Sequence, residues 1–90
     1  MKFTTIKQVK LAVWSQRNSL IEKYTGGRGR MPSILAECMD GNRGRIYHLV
    51  FPVETGNRYT FVRPFEEVST WVQGGLSKSE LLEWASQNLS

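Results

Sequence analysis

The chain is short of cysteine, histidine and proline, with one Cys, one His and three Pro in 90 residues. With Cys38 alone, neither an intramolecular disulfide nor a cysteine-based zinc site can form. No His/Asp/Glu cluster has the spacing of metal ligands, so no metal or other cofactor is expected. No apolar run approaches the length of a membrane span. The segment Met1-Lys2-Phe3-Thr4-Thr5-Ile6-Lys7 lacks the continuous apolar stretch of a signal peptide. These absences predict a cytoplasmic protein that needs no membrane and no cofactor.

Acidic residues are also scarce, eight Asp/Glu against twelve Lys/Arg, for a net charge of +4. The imbalance lies in the first half. Residues 1–45 hold nine basic and three acidic residues, while 46–90 hold three basic and five acidic ones. An excess of positive charge attracts anionic partners before contact and so favours nucleic acid or an acidic protein surface.

What the chain does have is enough apolar material for one core. Forty per cent of residues are hydrophobic and ten are aromatic, more than a disordered chain carries. Ninety residues cannot support two cores, so 1–90 is read as a single domain.

Thr5 and Gln8 have the spacing of a capping box, and Ile6, Val9, Val13, Leu20 and Tyr24 draw a helical stripe behind it. With Gly26-Gly27 as terminator, this predicts a helix over about 5–24. Three strands follow: Ser33–Met39, Arg45–Val53 and Arg58–Arg63. They are separated by the turn formers Asp40-Gly41-Asn42-Arg43-Gly44 and Glu54-Thr55-Gly56-Asn57. Tyr47, Leu49, Phe51 and Val53 alternate onto one face, and Pro52 is expected to mark an edge or an end of its strand. The rings of Tyr47, Tyr59 and Phe61 are expected to lie under the helices.

Pro64 opens a helix whose stripe is Phe65, Val68, Trp71 and Val72. A last helix starts at a second capping box, Ser77 and Glu80, flanked by Leu76 and Leu81 as a hydrophobic staple. The prediction is an α+β fold, α-β-β-β-α-α, with a three-stranded antiparallel meander and helices packed on one face.

Its helix, three strands and following helix are similar in order to the double-stranded RNA-binding domain. That family has a basic start to its final helix. This chain has Arg63-Pro64-Phe65-Glu66-Glu67 there, whose acidic pair repels phosphate, so the likeness is one of topology.

The distinctive local feature is a repeated Gly-x-Arg-Gly-Arg segment. Gly26-Gly27-Arg28-Gly29-Arg30 precedes the first strand, and Gly41-Asn42-Arg43-Gly44-Arg45 forms the first hairpin tip. Arginine offers a planar, permanently charged fork to phosphate or carboxylate oxygens, and glycine exposes backbone amides beside it. If both loops met at one end of the sheet, Arg28, Arg30, Arg43 and Arg45 would clamp a phosphodiester backbone. Lys7, Lys10 and Arg17 recur at three and seven and would extend that surface along the first helix.

This leads to a first reading of a small non-enzymatic regulator that binds DNA or RNA through its basic loops and helix face. The alternative is a protein–protein interaction module, a small inhibitor or adaptor of the phage or mobile-element kind. Its physical handle is Trp14, which falls beside the first helix's apolar stripe rather than on it; an exposed Trp near Arg is typical of a binding hot spot. Catalysis finds little support. His48 stands alone, Cys38 lacks any sign of activation, and the Gly-rich loops lack the lysine of a nucleotide-binding P-loop.

Overall fold

The computed structural model describes residues 2–40, 44–68 and 74–90, with the backbone alone at 37–40 and 67–68. Thr5 caps α1 (Ile6–Ser15) as its spacing predicts. Its hydroxyl accepts from the Gln8 amide at 3.2 Å, and the Gln8 side chain accepts from the Thr5 amide at 3.1 Å. Val9 and Val13 turn inward from this helix.

The single helix predicted over 5–24 is in fact two, α1 and α2 (Arg17–Thr25), broken at Gln16. Gln16 leaves helical geometry at φ −106°, ψ 16°, and its amide donates to the Ala12 and Trp14 carbonyls. Its side chain donates to the carbonyl of Leu89 at 2.6 Å, while Arg17 Nη1 donates to the carbonyl of Trp14 at 2.7 Å. The first of these bonds holds the break against Leu89, and the second closes it locally. Gly26, at φ 66°, then ends α2 in the left-handed conformation.

The sheet has the order β1-β2-β3, with β1 (Ser33–Asp40), β2 (Gly44–Thr55) and β3 (Arg58–Val62) all antiparallel. β1 pairs with the first part of β2, through Ser33 opposite Val50, and β3 pairs with the last part, through Phe51 opposite Val62. Single bridges occupy the complementary edges of β2. Tyr47 faces Leu76, and Gly29 faces Val53.

Pro52 therefore stands inside a central strand rather than at its edge or end. Its carbonyl accepts from the Arg30 amide at 2.7 Å. The N–H and C=O of one strand residue point to the same side. The missing hydrogen of Pro52 thus faces the 29–30 segment and takes nothing from the β3 ladder.

The two sheet faces follow from alternation. Ile34, Leu49 and Phe51 join Val9, Val13, Leu20, Phe65, Leu81 and Trp84 in one buried cluster, which places the helices on that face. α3 (Pro64–Val68) contributes Phe65, fully buried and edge-on to Trp84 at 4.8 Å between ring centroids. α4 (Lys78–Asn88) carries Trp84 and begins at the predicted Ser77–Glu80 capping box. The staple leucines, Leu76 and Leu81, are both buried in the cluster.

The opposite face carries Leu35, His48, Val50, Pro52, Tyr59 and Phe61. His48 and Val50 are buried, His48 beside Gly75. Tyr59 and Phe61 are 53% and 56% exposed, which corrects the expectation that the helices cover them. They pair with Glu54 and Pro52, whose alternation carries both rings to the open side.

Candidate binding surface

The described arginines of the two Arg/Gly segments do not meet. Gly29 lies opposite Val53, whereas Arg45 lies near the other end of β2, eight residues earlier on the same strand. At ~3.3 Å per residue that is about 26 Å. Arg28 and Arg30 therefore occupy one end of the sheet and Arg45 the other, so these three do not come together. Arg43 lies outside the described residues. A loop before a strand and a loop after it belong at opposite ends, and β1 separates these two.

Arg30 is further engaged within the fold. Its Nη2 lies 2.8 Å from Glu54 Oε2, and its guanidinium lies 6.0 Å from the Tyr59 ring centroid. The hydrogen bond to Glu54, with Tyr59 and the Glu54 charge behind it, raises the Arg30 pKa above its ordinary value. Arg28 and Arg45 are exposed.

The structure does gather the remaining sequence-selected residues. Lys7, Lys10 and Trp14 fall at three- and four-residue intervals along α1 and so share one side of it. The break at Gln16 turns Arg17 back over the indole of Trp14, with its guanidinium 4.2 Å from the ring centroid. Trp14 is 56% exposed, in contrast to Trp84 in the core. Trp71 lies outside the described residues.

Trp14 is also the ridge between two grooves. One, of about 370 Å³, is lined by Lys10, Val13, Trp14, Met31, Ile34 and Leu35 among others. The second, on the far side, is lined by Phe3, Leu11, Trp14 and Leu89 among others. Leu11, Met31 and Leu35 are all exposed large apolar residues. Sequence reasoning missed these three. Leu11 lies outside the apolar stripe of α1 and Leu35 on the odd side of β1, but only the packing shows that they neighbour Trp14.

His48 is buried, and the side chain of Cys38 lies outside the described residues. Among the described residues, no three His, Cys, Asp or Glu side chains cluster as metal ligands, and no helix is long and apolar enough to cross a membrane. Compared with known proteins, the chain matches no family model, no curated protein and no solved structure.

Proposed function

We propose that this chain is a small non-enzymatic binding protein that modulates a partner protein through the surface around Trp14. The observation carrying this reading is the exposed indole of Trp14 with Arg17 stacked on it, rimmed by Lys10, Leu11, Met31 and Leu35. Tryptophan and arginine dominate binding hot spots because each contributes large contact area together with a polar handle. Contiguous exposed apolar side chains on a small soluble domain mark interaction sites. The neighbouring cations favour a partner with carboxylates near its apolar anchor.

A nucleic-acid reading draws on a different observation. Tyr59 and Phe61 lie exposed two residues apart on the open sheet face, with the Arg30 guanidinium 6.0 Å from the Tyr59 ring centroid. Exposed rings on a sheet stack unpaired bases, and arginine supplies the phosphate contacts. This reading moves the nucleic-acid surface from the separated loops to β3.

The two readings are told apart by pull-down from the native host's extract and by a salt-titrated gel shift with duplex and single strand. Both are run on wild type, Trp14→Ala, and Tyr59→Ala/Phe61→Ala. The protein-binding reading expects a specific protein retained by wild type and by the β3 variant and lost by Trp14→Ala. Retention of the same protein by Trp14→Ala contradicts it. Single-strand binding lost only in the β3 variant establishes the nucleic-acid reading instead.

A further inference from the structure

The groove beside Trp14 runs along the outer edge of β1. Ile34 and Leu35 are consecutive strand residues on opposite sheet faces, yet both line it. Two such neighbours share one cavity only where the cavity wraps the strand edge. Helix α1 forms the opposite wall through Lys10, Val13 and Trp14.

The hydrogen-bond phase of the sheet shows what that edge presents. Tyr47 donates to the Leu76 carbonyl at 2.8 Å and accepts from the Leu76 amide at 3.0 Å. Both of its backbone groups therefore point away from β1, which makes Tyr47 and Ala36 a non-hydrogen-bonded pair. By alternation the same holds for Leu49 and Ile34. The N–H and C=O groups of Ile34 and Ala36 thus face outward, Ile34 into the groove and Ala36 just beyond its lining. The bulge between Ala36 and Met39 interrupts the register beyond them.

We infer that this edge accepts an extended acidic–apolar peptide segment of the partner as a short added strand antiparallel or parallel to β1, its apolar side chains seated against Trp14 and Val13. The inference rests on the protein-binding reading and names its mode. Strand addition draws affinity from main-chain hydrogen bonds at an open edge and specificity from pockets for alternate side chains. Here the edge supplies the outward groups of Ile34 and Ala36, and the groove supplies the pocket. The charge is complementary too. Among the described residues the lining includes Lys10 and no carboxylate, Arg17 lies over Trp14, and the chain is +4 overall.

The probe is a phage-displayed library of random ten-residue peptides selected on the intact protein, with the enriched peptide then made synthetically. Expected are sequences alternating apolar and acidic residues, whose binding shifts the NMR amide signals of Ile34 and Ala36. N-methylation of alternate peptide bonds in one phase should weaken binding at least about tenfold, and in the other phase by less than about threefold. Because the methyl groups are on the peptide, no protein variant has to fold.

Ala36→Pro provides the matching change on the protein. It removes an outward N–H that contributes nothing to the β1–β2 ladder, and it should weaken binding by a similar factor. If both N-methylation phases are tolerated while Trp14→Ala abolishes binding, strand addition is wrong and the protein-binding reading stands. If Trp14→Ala leaves peptide binding intact, or no peptide is enriched, both fail. Competition by a twenty-residue oligothymidylate at the same amides would overturn the inference in favour of nucleic acid.

Discussion

Tyr47 and Leu76 exchange both backbone hydrogen bonds, at 2.8 and 3.0 Å. This one pair closes the inner edge of β2 before β3 begins, and it also sets the phase by which Ile34 and Ala36 turn outward on β1. The segment just before α4 thereby shapes the far edge of the sheet. Removing Leu76's contribution is not simple, since its side chain is also buried in the core.

Trp14 and Trp84 separate surface from core. Trp14→Ala is expected to lower unfolding free energy by no more than about 1 kcal/mol, the value of an exposed cation–π contact with Arg17. Trp84→Ala should cost about 3–5 kcal/mol, because it opens a cavity beside Phe65. Urea denaturation followed by far-UV circular dichroism measures both. A large loss in Trp14→Ala would make Trp14 a core residue and empty the proposed surface.

Gly75 has φ 77°, and an added Cβ would collide with Ile46 Cγ2 and lie 2.9 Å from His48 Nε2. Gly75→Ala should therefore lower stability by about 2 kcal/mol or more, from overpacking together with a left-handed backbone that alanine resists. Gly56, with φ 63° but open space around it, supplies the control. Gly56→Ala carries the backbone penalty alone and should cost about 1 kcal/mol. Equal losses at the two positions would deny the close packing of Gly75.

Gln16 ties the break between α1 and α2 to Leu89. Gln16→Ala should cost about 1 kcal/mol, the net value of a hydrogen bond whose carbonyl partner is left without it. Amide exchange near Leu89 should quicken in the same variant. An unchanged stability with unchanged exchange would show that other contacts hold the break.

Gly29 and Arg45 lie about 26 Å apart along β2, so charge removal beside one should not influence the other. In a double-mutant cycle, Arg28→Ala/Arg30→Ala and Arg45→Ala should change the salt-dependent affinity for a DNA duplex additively, within about 0.5 kcal/mol. A coupling well above that would mean one ligand bridges both loops.

The sequence carried the fold far. Both capping boxes and the three strands follow from local spacing and alternation, which are short-range properties. What escaped was set at longer range. The apolar stripe of the first helix jumps from Val13 to Leu20 with polar Gln16 and Arg17 between, a sign of the break. The partner that fixes the break, Leu89, is 73 residues away. The open-face exposure of Tyr59 and Phe61 depends on register against Glu54 and Pro52, which alternation within β3 alone does not give.

The site was legible in its members and less so in their grouping. Lys7, Lys10, Arg17 and Trp14, chosen for two rival functions, stand on one surface. The separation of the Arg loops was implicit in the eight-residue strand between them. The exposed Leu11, Met31 and Leu35 became visible only once α1 lay against β1.

The most direct test of the Trp14 surface is photocrosslinking in the native host, with p-benzoylphenylalanine replacing Leu35 in one variant and Arg45 in another. Position 35 is expected to give one protein adduct, abolished by adding Trp14→Ala, and position 45 none. Adducts to nucleic acid, or a protein adduct from position 45 alone, would contradict it.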